Sequence, residues 1–433
     1  MRSVQPDSTG YAVRDDVKIS YEVFGRQEPA ILLLPTWGII HSRFWKGQVG
    51  YLSRHHRVIT FDGRGSGQSS APADPEGYAH GEFAADALAV LDATGTERAV
   101  VVGSSAGVLW GIELTADHPD RVLGLVCMGT SFDLDEPAPD PQAFHRQLTS
   151  HEGWDKFNAE YLLGGGYDDF LGWFFPLACS EPHSSKAIED GIGWAHDTTP
   201  EALIASQRGM VPYPPSRLRE LAGRISRPVL VIHGEDDLIE PHSRGVALAR
   251  VTGGSLLSLG GAGHASTRHP VKVNQVLHDF AGSVAPVAPT TRRWTRALNR
   301  PKRVLYVSSP VGLGHARRDL AIAAELRAIH PGLEIDWLAQ PPVTAVLTDE
   351  AERVHPASRF LSSEVAHIED ECAEHDLHAF QAMRRMDEIL VHNFMVFSDV
   401  VGDEPYDLVI GDEAWDIDFF WHENPERKTT SFA

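Results

Sequence analysis

RAVVVGSSAGVLWGIELTAD, residues 98–117, decides how the rest of the chain is read. Arg98 to Gly103 is short, apolar and rich in valine, the composition of a strand buried on both faces. From Ala106 to Asp117 the apolar residues recur at helical spacing. Between them stands an elbow of small residues, Gly103-Ser104-Ser105-Ala106-Gly107. A strand that enters a helix through so tight a turn forces Ser105 into a strained conformation with Oγ exposed, and only small residues two positions away avoid a clash. The helix that begins there aims its N–H groups and positive dipole end at developing negative charge. Ser105 is therefore a candidate nucleophile.

The same alternation extends outward in both directions. YAVRDDVKISYEVFG, residues 11–25, predicts two strands joined near Asp15-Asp16. Ala30 to Leu34, Arg57 to Phe61 and Val122 to Met128 read as further buried, largely parallel strands, with a helix over Gly81 to Ala93. Strand–helix alternation of this kind implies a parallel sheet covered on both faces. The rhythm breaks at about residues 131–215, where Trp154, Phe157, Tyr161, Phe170, Trp173, Phe174, Phe175 and Trp194 fall in helical patterning. Too long for a bare loop, this insertion is expected to be a helical cap. Alternation resumes with a strand over Pro228 to His233, a helix near Ser243 to Val251, a strand near Gly254 to Leu259 and a helix from about Val271 to Ala281.

Composition bounds the function. The chain has 433 residues, more than one ordinary core, and 42% hydrophobic with 23% charged residues is a globular balance. The formal net charge of −22 repels phosphate backbones and anionic lipid, so neither nucleic acid nor a membrane surface is expected as partner. Cys127, Cys179 and Cys372 are too scattered for a disulfide framework or a metal site, and Cys127, in LGLVCMG, reads as a core thiol. MRSVQPDSTG lacks the apolar stretch of a signal peptide and no run reaches a membrane span, which predicts a cytoplasmic protein. No cofactor or metal is expected.

A serine hydroxyl needs a base, and the base an orienting third group. Two later strand ends supply candidates: Gly234-Glu235-Asp236-Asp237 and Gly261-Ala262-Gly263-His264. The order Ser, Asp, His, with FDGRGSGQS at residues 61–69, resembles the α/β-hydrolase family over residues 1–283. The resemblance implies Ser105 as nucleophile, His264 as base and Asp237 as its orienting acid. Asp236 is the neighbouring alternative; the family's G-x-x-D spacing favours Asp237. His269 is expected at the surface, and His55, His56 and His233 are expected to be structural, lacking metal-ligand spacing.

The same resemblance implies two backbone N–H groups for a tetrahedral oxyanion. One is that of Ala106. The family's other donor follows a His-Gly pair that is replaced here by Pro35-Thr36; proline has no N–H, so Trp37 is the matching position. Relatives that open epoxides or displace halide carry aspartate in the elbow, so a serine there implies cleavage of an ester, thioester or lactone, with C–C bond hydrolysis as an alternative. The aromatic cap suggests a small apolar acyl or ring substrate, although such a stripe is more often core. A hydrolase fold kept as a mere receptor is a third reading, which the intact set of three residues disfavours.

Residues 284–300, rich in Ala, Pro and Thr with a basic cluster, read as a linker. Beyond it, KRVLYVSSPVGLGHARRDLAIAAELRAI opens a second α/β domain over residues 301–433, with Gly312, Gly314 and His315 between strand and helix. This region resembles the N-terminal, acceptor-side half of glycosyltransferases of the GT-B type, built from two Rossmann-like domains. The resemblance implies His315 as a base for an acceptor hydroxyl and Asp412, at the end of YDLVIGD, as its orienting carboxylate. The donor half has no counterpart here, so the domain is expected to be incomplete, the chain truncated, and a nucleotide sugar a partner only if the natural chain is longer. The fold class expected overall is an α/β-hydrolase sheet with a helical cap followed by an incomplete Rossmann-like α/β domain.

Overall fold

The computed structural model describes residues 2–137, 141–285, 300–372 and 378–433. They fall into two compact units, one within residues 6–287 and the other made of residues 2–5 with 300–433. Most of the expected linker, 286–299, lies outside the described residues.

The first unit is built on an eight-stranded sheet. Its strands are β1 (Ser8–Arg14), β2 (Val17–Phe24), β3 (Ala30–Leu33), β4 (Val58–Phe61), β5 (Ala99–Ser104), β6 (Val122–Met128), β7 (Val229–Gly234) and β8 (Ser255–Leu259), in the order β1-β2-β4-β3-β5-β6-β7-β8. β1 and β2 are joined at Asp15-Asp16, where Asp15 takes φ 54°, a conformation an aspartate tolerates. β2 pairs antiparallel with β1 and β4, and every other pairing is parallel. β3, β4 and β5 are buried at every residue, which is why they read as unbroken apolar runs. The helices Ala106–Asp117 and His80–Ala93 cover the sheet, their contact marked by Trp110 stacked on Phe83 at 4.0 Å.

Between β6 and β7 the described residues form helices and turns without a strand. The helices Pro200–Gly209 and Pro215–Gly223 each begin on proline, whose missing N–H is no loss at a first turn. Tyr167–Ala178 buries Phe170, Leu171, Phe174 and Phe175 against Ile39 and Ile40 from the loop after β3. The cap aromatics thus pack mainly on one another, while Trp154 stays half-exposed.

The second unit holds five parallel strands, β9 (Arg303–Val307), β10 (Glu334–Leu338), β11 (Arg353–Val354), β12 (Leu408–Gly411) and β13 (Ser431–Phe432), ordered β11-β10-β9-β12-β13. β9 lies centrally because the chain leaves it to one side for β10 and returns on the other with β12. Ligand crevices form outside the carboxyl ends of strands at such a switch. Residues 2–5 belong to this unit rather than to the hydrolase-like range assigned from sequence: the Ser3 N–H and hydroxyl both donate to Glu388 at 2.8 Å. A short polar stretch carries no periodicity that could have announced the pairing. No helix among the described residues is long and apolar enough to cross a membrane.

Candidate active site

Ser105 follows β5 with φ 53° and ψ −122°, in the left-handed half of the map that costs a non-glycine residue about 1–3 kcal/mol. Its N–H donates to the Met128 carbonyl at 2.9 Å and its carbonyl accepts from Val108, which hold the strained turn. The small residues around it are sterically required. A Cβ on Gly103 would come within 2.3 Å of the Gly107 carbonyl oxygen, and one on Gly107 within 2.3 Å of the Pro35 carbonyl oxygen.

β7 and β8 run on the same side of β5 through β6, so the segments after their carboxyl ends meet the elbow. His264 Nε2 lies 3.1 Å from Ser105 Oγ, and His264 Nδ1 lies 2.9 Å from Asp237 Oδ2. A carboxylate can only accept, so the His264 proton sits on Nδ1 and bare Nε2 accepts from the serine hydroxyl. Asp237, whose side chain is fully buried, also accepts from the Ile239 and Glu240 N–H groups through Oδ1, both at 2.8 Å. Burial pushes its carboxyl up; hydrogen bonds from His233 and His264, then the His264 charge and the Ile239 amide, outweigh this and hold it at about 2. Asp236, the sequence alternative, is exposed, and its N–H donates to the Ala262 carbonyl.

The His264 loop is tied to the cap: Ala265 N–H donates to the Ala178 carbonyl at 3.0 Å and Gly263 N–H to Glu181 Oε1 at 2.9 Å. His269, expected at the surface, is partly buried with Nε2 3.7 Å from the same Glu181 oxygen. The reason is tertiary: the cap folds back over the residues that follow His264.

Ala106 is the first residue of its helix, so its N–H has no partner within the helix and is open to a ligand oxygen. Trp37, partly buried, forms an antiparallel bridge with Ile40, whose N–H donates to the Trp37 carbonyl at 3.1 Å. The Trp37 ring packs against the cap, 5.1 Å from Phe174 and 5.8 Å from Phe157. Cys127 is fully buried and burial pushes its thiol up, as expected for a core position. His56 bonds His278 at 2.9 Å, and burial with that neighbour pushes it down to about 4. No metal-binding cluster of His, Cys, Asp and Glu occurs among the described residues.

Sequence reasoning missed the place of His233. Fully buried at the end of β7, it puts Nε2 3.2 Å from Asp237 Oδ2, the oxygen that His264 also uses. Its position four residues before Asp237 was legible, but nothing local says that a loop folds back over it.

In the second unit, adjacency of β9 and β12 brings His315 and Asp412 together, with Nδ1 2.7 Å from Asp412 Oδ2. Arg318 bonds the other Asp412 oxygen, and His315 Nε2 lies 3.8 Å from Glu413 Oε1. A cavity of about 40 Å³ opens beside them, lined by Ser308, Gln340, Glu364, Asn393, Asp412 and Asp416 among others.

Comparison with known proteins bears on the fold of the first unit. The family described as alpha/beta hydrolase fold matches residues 29–266, and the chain belongs to it. Within that family it is an esterase-like hydrolase. It is 32% identical over 306 residues to the rhodomycin D methylesterase DauP of Streptomyces sp. strain C5, covering 64% of this chain and 99% of that protein. It is 41% identical over 109 residues to RutD of Variovorax paradoxus strain S110, named as a candidate carbamate hydrolase; that match spans only 25% of this chain and 41% of the relative. Among solved structures, Est816, described as an N-acyl homoserine lactone degrading enzyme, is similar with a TM-score of 0.50 and 25% identity, over 63% of this chain and 100% of that one.

Proposed function

We propose that Ser105, His264 and Asp237 form a catalytic triad that hydrolyses an ester, thioester or lactone of a small apolar substrate through an acyl-enzyme. Ser105 Oγ attacks the carbonyl carbon while His264 Nε2 takes the hydroxyl proton. Asp237 fixes the His264 tautomer and stabilises the imidazolium. The carbonyl oxygen, now negative, is held by the Trp37 and Ala106 N–H groups. His264 then gives its proton to the leaving oxygen or sulfur, and water activated by the same nitrogen releases the acid. The observation that carries this reading is a serine in strained backbone geometry with Oγ 3.1 Å from an imidazole that a buried carboxylate orients. The methylesterase and lactone-degrading activities named for DauP and Est816 suggest oxygen esters and lactones as the first substrates to try. A fluorophosphonate probe is expected to label Ser105, and Ser105→Ala to lose both labelling and p-nitrophenyl ester turnover while keeping its melting temperature. Labelling that persists in the variant would sink the assignment.

A second activity is proposed for the second unit on one observation, the His315–Asp412 contact at 2.7 Å. In the GT-B reading His315 Nε2 takes the proton of an acceptor hydroxyl and Asp412 stabilises the resulting imidazolium. The protein is then expected to consume a nucleotide sugar in the presence of a hydroxylated acceptor, and His315→Ala to stop it. Absence of nucleotide-sugar binding overturns this reading.

A further inference from the structure

We propose that His233 is a positioning residue of the hydrolytic site: its Nε2–H holds the Asp237 oxygen that His264 also uses, and so sets how strongly Asp237 acts on the base. This rests on the triad reading above.

His233 is the penultimate residue of β7 and is fully buried. Its Nε2 faces two atoms, Asp237 Oδ2 at 3.2 Å and the Glu240 carbonyl oxygen at 3.0 Å. Both can only accept, so the ring proton sits on Nε2, where it bonds the Glu240 carbonyl and stands close to the Asp237 oxygen. Nδ1 has no partner, and it lies so close under Gly245 that a Cβ there would come within 2.6 Å of it. Leaving a buried ring nitrogen unpaired costs about 1–3 kcal/mol. An apolar side chain of similar size would fill the space without that cost. What the imidazole adds is the Nε2–H, bonded to the backbone of the loop that carries the acid and set close to the acid itself.

The consequence follows from sharing one oxygen. Each donor on Oδ2 draws part of the carboxylate charge away from the other, so His233 moderates the stabilisation that Asp237 gives to protonated His264. It also stops the carboxylate from turning away. Other ionisable groups near this cluster are engaged elsewhere. His242, 5.7 Å from the His233 ring, bonds Ser258 Oγ at 2.8 Å. Glu240 pairs with Arg244, which lies 3.6 Å from Asp133. From the cap, Glu181 accepts the Gly263 N–H with His269 beside it. The low carboxyl of Asp237, with His233 the foremost of the contacts that lower it, agrees with this arrangement.

The test is the pH profile of kcat/KM for the wild type, His233→Leu and His233→Gln. Losing the donor in His233→Leu leaves more charge facing His264. The acid limb is then expected to move up by about 0.5–1 pH unit, with kcat down about tenfold and KM unchanged. Glutamine offers an N–H where Nε2 lies, and His233→Gln is expected to bring the limb back. A His233→Leu enzyme with lower kcat and an unmoved limb reduces His233 to packing and overturns the proposal. Should that variant not fold, nitrogen NMR of the wild type decides: a proton on Nε2 with bare Nδ1 supports the role, and a proton on Nδ1 overturns it. Fluorophosphonate labelling run alongside separates the two levels. An unlabelled Ser105 removes the triad itself, whereas normal labelling with an unmoved limb removes only His233.

Discussion

Asp237 accepts two backbone amides on Oδ1 and the His264 imidazole on Oδ2, with His233 Nε2 3.2 Å from that same Oδ2. In the proposed triad its charge is needed, and Asp237→Asn puts a neutral amide where a carboxylate orients the base. The expected loss in kcat is about 10³–10⁴-fold, with substrate binding little changed. The same residue couples stability to pH. Its folded pKa is depressed to about 2, so its contribution is present above its unfolded value near 4 and is lost as pH falls toward 2. The shift corresponds to about 2 kcal/mol at neutral pH, and the side chain is fully buried, so solvent does not weaken it. Urea unfolding of wild type and Asp237→Asn should therefore differ at pH 7 by more than at pH 2.5. An equal difference at both values contradicts the assignment of the buried charge. Ser105, Asp237 and His264 were legible in the sequence because each sits in a short pattern at a strand end. His233 was not, because its partner is brought to it only by the fold of the loop.

At the scale of the element, the elbow between β5 and the helix Ala106–Asp117 is where local chemistry and packing meet. Gly107 presses on the Pro35 carbonyl, and Pro35 belongs to the loop that carries the Trp37 amide. Backbone cannot yield as a flexible side chain does. Gly107→Ala is therefore expected to destabilise by about 2–3 kcal/mol and to reduce turnover by displacing that loop. Gly282→Ala is the contrast. Its Cβ would meet nothing within 4 Å in the helix Pro270–Val284, and the exchange is expected to be neutral or to stabilise by up to about 1 kcal/mol. Chemical denaturation of both variants checks the pair; equal effects would show that the close approach to Pro35 is not what demands glycine at position 107. Every strand of the first unit was readable, with boundaries shifted by up to three residues, whereas the helix Lys46–His55 went unread. The aromatic run after β6 was readable as helix. That its rings pack chiefly on each other is a property of how the helices cross.

For the whole molecule, the net charge of −22 sets up a field that repels phosphate backbones, and no helix among the described residues is long and apolar enough to cross a membrane. The sequence by itself determined the alternation of strands and helices, the serine elbow with its obligatory glycines, and the chain order of the candidate groups, because these are encoded in neighbours along the chain. Only the tertiary structure decided that Asp237 rather than Asp236 faces His264, that His233 shares its oxygen, that residues 2–5 join the second unit, and that His315 meets Asp412. Those contacts join groups separated along the chain by as few as four positions, for His233 and Asp237, and by as many as 385, for Ser3 and Glu388. They depend on strand order and on how loops close over strand ends, which no local period records.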